Sequence, residues 1–319
     1  MKRFVLAVAC IAFSAPLWAQ KMRVPPHAPA GAPTVHTITG SPLTLDIGDD
    51  TSMQVYNSNV PGTGQFYPPG CNPGETADWG VFAGIGGVIY GPDFNNHPCG
   101  SASNSYTPWT VVSFTPVSGT GTAVDPFTQV IVVDAGTTGL RLTETLTYVN
   151  GSATANIALA FSNVGAGAVT WDTFDGADLF LADNDAGFPF ATPPTASGSH
   201  GADASCTTQL QYTISVLGTT PADRYSANGY STVWSEISAG SLSNTVAPGC
   251  LDDGAALEWT ARTLNPGGTL TINSGVSFTG QAVPQGAIVP TLSPLGLAAL
   301  ILLLAVVGYV LVRRMSLGA

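Results

Sequence analysis

Positive charge is nearly absent from the body of this chain. Of 319 residues only 9 are Lys or Arg, and Lys2, Arg3, Lys21, Arg23, Arg313 and Arg314 all lie near the ends. Residues 36–283 keep Arg141, Arg224 and Arg262 and no lysine, against all 20 Asp and Glu, for a net of −17. Such a surface repels phosphate backbones and argues against nucleic acid as a partner. It also leaves no lysine for a glycine-rich phosphate loop. Divalent cations and basic partners would be attracted, though weakly at physiological salt.

Other absences narrow the class further. Charged residues are 9% of the chain, against about 25% in an ordinary soluble domain. No helical stretch of ten residues stands out between the two ends, and Gly (37) and Pro (24) make up about a fifth of the residues. Coiled coils, helical bundles and acidic disordered chains are therefore poor fits. There is no G-x-S-x-G elbow for a nucleophilic serine. His36, His97 and His200 stand alone in expected loops, with no H-x-H or H-x-x-x-H pair, and read as plain surface residues rather than metal ligands. No fixed-period repeat supports a propeller or solenoid.

What is present begins with the two ends. Lys2 and Arg3 precede a short apolar run, Phe4 to Phe13, and Ala19 is a small residue before Gln20. This is the layout of a secretory signal over residues 1–19, too short in its apolar part to span a bilayer. Residues 20–35 form a Pro/Ala-rich spacer, and 280–288 a second short linker. Leu295 to Val312 is a run of 18 uncharged residues, which at 1.5 Å rise per residue covers ~27 Å and suits a transmembrane helix. Arg313 and Arg314 follow as a stop-transfer signal, leaving 315–319 as a cytoplasmic tail.

The residues just before that run are more specific. Val289, Pro290, Thr291, Leu292 and Ser293, followed by the apolar segment and then Arg313-Arg314, resemble the sorting signal of the IPTL-CTERM family of bacterial surface proteins. Val289 stands where the family has Ile, and Pro294 and Leu295 replace the acidic and aromatic residues that often follow the Ser. The resemblance covers residues 289–314 only. It implies a Gram-negative host, recognition by an exosortase-type membrane protease, an inner-membrane-anchored precursor, and release of the mature chain to the cell surface or beyond.

Cysteine usage agrees with export. Cys10 leaves with the signal, and Cys71, Cys99, Cys206 and Cys250 remain, an even number suited to two disulfides. Three pairings exist. Cys71–Cys99 and Cys206–Cys250 are expected, because each pair brackets one loop-rich stretch. A zinc site fails on spacing.

The segment 36–279 reads as all-β. Leu140, Leu142, Leu146 and Tyr148 share one face at period two, with Arg141, Thr143, Thr145 and Thr147 on the other. Ile157, Leu159 and Phe161 alternate in the same way beyond Asn150-Gly151, a hairpin dipeptide. Val130 to Val133 reads as a strand buried on both faces. Ala256–Leu264 and Thr269–Phe278, around Pro266-Gly267-Gly268, read as a second hairpin. Further strands are expected at Leu43–Ile47, Met53–Tyr56, Val81–Tyr90, Thr110–Phe114, Asp178–Leu181 and Gln209–Val216. Irregular stretches are expected at Asn57–Asp78, Pro92–Pro108 and Phe188–Cys206. One large β-sandwich fits best.

Two acidic segments invite chemistry. Asp172, Asp175, Asp178, Asp183 and Asp185 offer hard oxygen ligands of the kind Ca²⁺ takes. They lack the order of an EF-hand, and a solvated turn is the plainer reading. Asp252-Asp253-Gly254 reads as a β-turn, or with Glu258 as half of a paired-carboxylate glycosidase site. Trp109, Trp234 and Trp259 sit beside strand patterns and are expected in the core. The reading that follows is a non-enzymatic, exported surface protein with a structural, adhesive or matrix-associated role. The alternative is a carbohydrate-binding or carbohydrate-active sandwich with extracellular polysaccharide as partner.

Overall fold

A computed structural model of the chain describes residues 31–60, 74–76, 78–98, 106–182 and 184–279. The described strands in chain order are β1 Val35–Thr39, β2 Leu43–Gly48, β3 Met53–Asn57, β4 Trp79–Ile85, β5 Val88–Gly91, β6 Thr107–Pro108, β7 Thr110–Phe114, β8 Phe127–Asp134 and β9 Leu140–Tyr148. They continue as β10 Thr154–Asn163, β11 Val169–Asp178, β12 Ala186–Thr192, β13 Ala196–Ala202, β14 Gln209–Gly218 and β15 Arg224–Gly229. Helix α1, Tyr230–Ala239, follows, and then β16 Thr245–Val246, β17 Leu251–Leu264 and β18 Thr269–Thr279. The signal segment, the Cys71–Cys99 pair, Asp183 and the sorting segment lie outside the described residues. Among the described residues no helix is long and apolar enough to cross a membrane.

Alternating side chains make these strands. β9 buries Leu140, Leu142, Leu146 and Tyr148 and leaves the intervening Arg and Thr half-exposed. β8 alternates as well, burying Gln129, Ile131 and Val133. The β-branched run at 130–133 is thus a one-sided strand, contrary to expectation. The stretch Val81–Tyr90 is two strands, because Gly86 and Gly87 turn the chain at φ 57 and 84. Asp178–Leu181 is not a strand of its own; β11 ends at Asp178. Phe188–Cys206 is not irregular, since β12 and β13 pair across it.

β1, β2 and β3 form a small antiparallel sheet. The remaining strands follow one path, β6-β5-β4-β11-β17-β12-β13-β14-β18-β10-β9-β8-β7, with β15 beside β17 and β16 beside β15. β17 and β12 share only two residue pairs, Asp252↔Ala186 and Leu251↔Gly187. Beyond that link the path folds back, so that β18 faces β11, and the Ser274 hydroxyl donates to the Asp175 carboxylate. Phe161 and Trp171 meet between the layers at 5.0 Å between ring centroids. The architecture is mostly β and sandwich-like.

The second expected hairpin is a crossing between layers. β17 pairs with β11, and β18 pairs with β10. β10 and β11 cross in the same way, and Asn163 ties the two crossings together. Its side-chain Nδ2 donates to the carbonyls of Gly167 (2.8 Å) and Leu264 (2.9 Å). Its backbone N–H donates to the Gly268 carbonyl, and its own carbonyl accepts from Gly267. A Pro-Gly-Gly turn reports a chain reversal but not which strand edges pair after it.

α1 also departs from expectation. Ser231, Thr232 and Val233 are weak helix formers, yet Val233, Trp234 and Ile237 form a buried stripe at helical spacing. The stripe packs on Phe82, Phe174, Ala256 and Tyr106, a second core on the outer face of β4, β11 and β17. Gly240 ends the helix in the left-handed region at φ 76, with its N–H donating to Glu236 and Ile237. Tertiary packing decides this segment. Cys206 and Cys250 are bonded with Cα atoms 5.7 Å apart, joining the β13–β14 turn to the start of β17.

Candidate functional site

Four neighbouring strands bring carboxyl groups to one end of the sheet. Asp178 is the last residue of β11, Asp252 and Asp253 open β17, Asp78 precedes β4, and Asp185 precedes β12. Their register is tight. Asp178 pairs with Gly254 and Ala177 with Trp79. The Asp178 N–H donates to the Asp78 carbonyl at 2.9 Å, and the Leu179 N–H to the Asp253 carbonyl at 2.9 Å.

Strand alternation sorts the side chains. Asp178 and Asp252 lie on the face that carries α1, as Phe174 and Ala256 do; Asp253 lies on the opposite face with Ala255 and Leu257. Two glycines permit the close packing. A Cβ at Gly254 would lie 3.0 Å from the Tyr230 Cα, and one at Gly187 would lie 2.2 Å from the Ser199 Oγ and 3.0 Å from the Asp253 Oδ2. The first residue of α1, Tyr230, therefore sits against the carboxyl group cluster.

Burial sets the chemistry. Asp178 and Asp253 are only 1% and 2% exposed. Asp178 is pushed well above the usual carboxylate range, first by burial and then by Asp78, Asp252, Asp185 and Asp253. Burial and Asp185 raise Asp252 to about 6. Burial raises Asp253 to about 8, against a hydrogen bond from Ser199 that lowers it. The Tyr230 hydroxyl is raised too, by burial and then by Asp252, Asp178, Asp185 and Asp78. Asp178 Oδ1 and Asp252 Oδ1 are buried without a hydrogen-bond partner among the described residues. On the face beside α1, Asp178 thus holds its proton to higher pH than an ordinary carboxyl group, and Asp252 gives up its proton around pH 6. Offset by two residues across β11 and β17, their positions are about 7–8 Å apart.

The acidic run expected to bind calcium is divided by the fold. Asp178 and Asp185 join the cluster. Asp175 faces the interior, where it accepts from Trp79 Nε1 at 2.5 Å and from Ser274. Burial lifts it to about 6 against those two bonds. Asp172 Oδ1 accepts from the Ala261 N–H at 2.6 Å, beside an irregularity in the β11–β17 register. Asp183 lies outside the described residues. Among those described, no group of three or more His, Cys, Asp or Glu is arranged to hold a metal ion.

Asp252-Asp253-Gly254 is not a β-turn but the start of β17. Glu258 does not complete a pair with it, for six residues of extended strand span about 20 Å. It accepts from the Leu242 N–H at 2.6 Å. Burial raises it to about 7, against that bond and the charge of Arg224.

The histidine expectation is also corrected. His97 is buried, with Nε2 2.8 Å from Asp50 Oδ2 and Nδ1 3.5 Å from the Thr76 hydroxyl. Ser52 Oγ donates to the other Asp50 oxygen at 2.5 Å. Burial opposes the Asp50 charge, but His97 and Ser52 hold its pKa below the ordinary range. Both Asp50 oxygens are engaged, so this network fastens the β2–β3 turn. His36 Nδ1 donates to the Thr115 carbonyl at 2.9 Å, and its ring stacks on Phe114. His200 lies on β13 against Phe190, its pKa lowered by burial.

No family model and no curated protein matches the chain. Among solved structures it is similar to a putative aldose 1-epimerase from Escherichia coli K12, at 14% identity over 77% of this chain and 99% of that one, with a TM-score of 0.42. A bacterial glucoamylase complexed with acarbose is 9% identical over 81% of this chain, TM-score 0.45. A GH36 α-galactosidase from Geobacillus stearothermophilus is 10% identical over 78%, TM-score 0.37. The chain spans only 34% and 41% of these last two proteins. The expectation of a non-enzymatic body is corrected by these similarities, which are to enzymes. At such scores they carry neither a residue role nor a reaction over to this chain.

Proposed function

We propose that this chain is an exported carbohydrate-active protein in which Asp178 is the general acid and Asp252 the general base. The observation that carries the reading is the pair itself. Two carboxyl groups share one face, and burial with neighbouring carboxylates raises both, Asp178 well above the usual carboxylate range and Asp252 to about 6, as an acid and base pair requires. A neutral, hydroxyl-rich substrate suits a body with a net charge of −17, which would repel phosphorylated or acidic ones. The names of the similar structures, an aldose epimerase and two enzymes of sugar hydrolysis, agree in class but add no weight. The signal at 1–19 and the sorting segment 289–314 support delivery to the cell surface, an exosortase-type protease as processing partner, and extracellular polysaccharide as the nearest substrate.

The test is turnover by the mature protein. Anomerisation of free aldoses is followed by polarimetry, and cleavage of glycans by release of reducing ends. Asp178→Asn and Asp252→Asn should each lower the rate by about 10²–10⁴, with the melting midpoint little changed. The rate should rise through pH 6 as Asp252 ionises and fall at higher pH as Asp178 loses its proton. Variants as active as the parent protein, or no turnover of any sugar, would overturn the reading.

A further inference from the structure

A second place on the molecule has the features of a ligand site. A cleft of about 380 Å³ lies beside Leu257, five residues along β17 from Asp252, or about 17 Å. Small-molecule sites run from about 300 to 1,000 Å³. The floor is apolar, made by Leu257, Ala222 and the turn at Pro193-Pro194. Tyr225 is the register partner of Leu257, so its ring stands on the same face of the sheet.

The rim is polar and only partly used. Asn244 is held in the left-handed region at φ 60. Its N–H donates to the Tyr225 carbonyl at 2.9 Å, and its Oδ1 accepts from the Tyr225 N–H at 3.0 Å. That leaves the Asn244 amide NH₂ uncommitted among the described residues. Asp223 Oδ2 accepts from the Thr260 N–H (2.7 Å) and from Arg262 (2.9 Å), and its Oδ1 is uncommitted in the same sense. Arg224 is occupied, donating to Ser241 Oγ at 2.7 Å and to the Leu242 carbonyl at 3.1 Å. The Arg224 charge is met by its register partner Glu258, so a neutral ligand suits the cleft better than an anionic one. What remains is an aromatic ring, an amide donor, a carboxylate acceptor and an apolar floor.

We infer that this cleft holds a neutral polyhydroxylated ring, a single sugar residue, as a non-catalytic binding site. The ring hydroxyls would meet the Asn244 amide and Asp223, and the apolar face of the sugar would lie against Tyr225 and the floor. The inference deepens the carbohydrate reading and rests on it for the ligand class. The groups it uses are distinct from Asp178 and Asp252.

The mature protein is titrated with a panel of neutral monosaccharides and their oligomers, by calorimetry and saturation-transfer NMR. At least one sugar should bind. Tyr225→Ala and Asn244→Gly should each weaken it about tenfold or more, whereas Asp252→Asn, which should abolish turnover, should leave this binding in place. Glycine accepts φ 60 without strain, so Asn244→Gly decides the matter if Tyr225→Ala fails to fold. Binding that survives Asn244→Gly, or that disappears with Asp252→Asn alone, overturns the cleft. If no sugar binds, the cleft is likewise overturned, and turnover by the parent protein still judges the carbohydrate reading separately.

Discussion

Asn163 shows how much of this fold rests on single polar side chains. It is 2% exposed, and its side chain makes three bonds: two donated to the Gly167 and Leu264 carbonyls, and one accepted from the Gly165 N–H at 2.9 Å. Asn163→Ala would leave the carbonyl at the end of β17 without its partner. A buried group left unsatisfied costs about 1–3 kcal/mol, and loss of the Gly165 bond adds to this, so a loss of about 2–4 kcal/mol in urea unfolding is expected. A change within about 0.5 kcal/mol, as at an ordinary surface position, would refute the role. Residues of this kind are hard to read from sequence, because Asn163 only ends an alternating strand there. Glu144 is hidden in the same way. It occupies the core face between Leu142 and Leu146; its pKa is raised well above the usual range by burial and then by Asp175 and Asp50. Asp178 and Asp185 are legible as part of an acidic run. Their meeting with Asp78 and Asp252 is not, because spacing along the chain does not say which strands become neighbours.

At the level of elements, period-two alternation locates most strands, and α1 is what it misses. The helix has a fully buried apolar stripe of Val233, Trp234 and Ile237, set among Ser and Thr residues that obscure a helical pattern. Its start lies against the carboxyl cluster and its body covers Phe82 and Phe174, so it holds together the face on which Asp178 and Asp252 stand. Ile237→Ala should cost about 2–5 kcal/mol, the usual range for a large-to-small change in a packed core. Gly240→Ala should cost about 1 kcal/mol, because the C-cap sits at φ 76. Both are checked by denaturant midpoints. An Ile237→Ala protein as stable as the parent would mean that α1 is not docked as described. The crossings at β10–β11 and β17–β18 were illegible for a related reason. A turn motif records where a chain reverses, whereas layer assignment depends on long-range partners.

For the whole molecule, composition carries two messages, one legible and one not. Scarce charge, abundant Gly and Pro and alternating apolar residues announce a strand-rich fold of sandwich type. The excess of acid appears in the sequence as a surface property, yet much of it is buried. Asp175 and Asp252 are raised to about 6, Glu258 to about 7 and Asp253 to about 8. Burial also raises Glu144 and Asp178 well above the usual carboxylate range. In the unfolded chain such groups titrate near 4. Between about pH 4 and pH 8 the folded protein therefore binds more protons than the unfolded chain, and its stability falls as pH rises. Each excess proton is worth about 1.4 kcal/mol per pH unit. Asp50 and Asp203, whose pKa values are lowered, act in the opposite sense and only at more acidic pH: the stability they contribute is lost as pH falls below about 4. Thermal unfolding of the disulfide-intact protein should thus show a higher midpoint at pH 5 than at pH 8. A midpoint that instead climbs toward neutrality would mean that the buried carboxyl groups are compensated in solution, and the acid–base assignment of Asp178 and Asp252 would lose its footing with them.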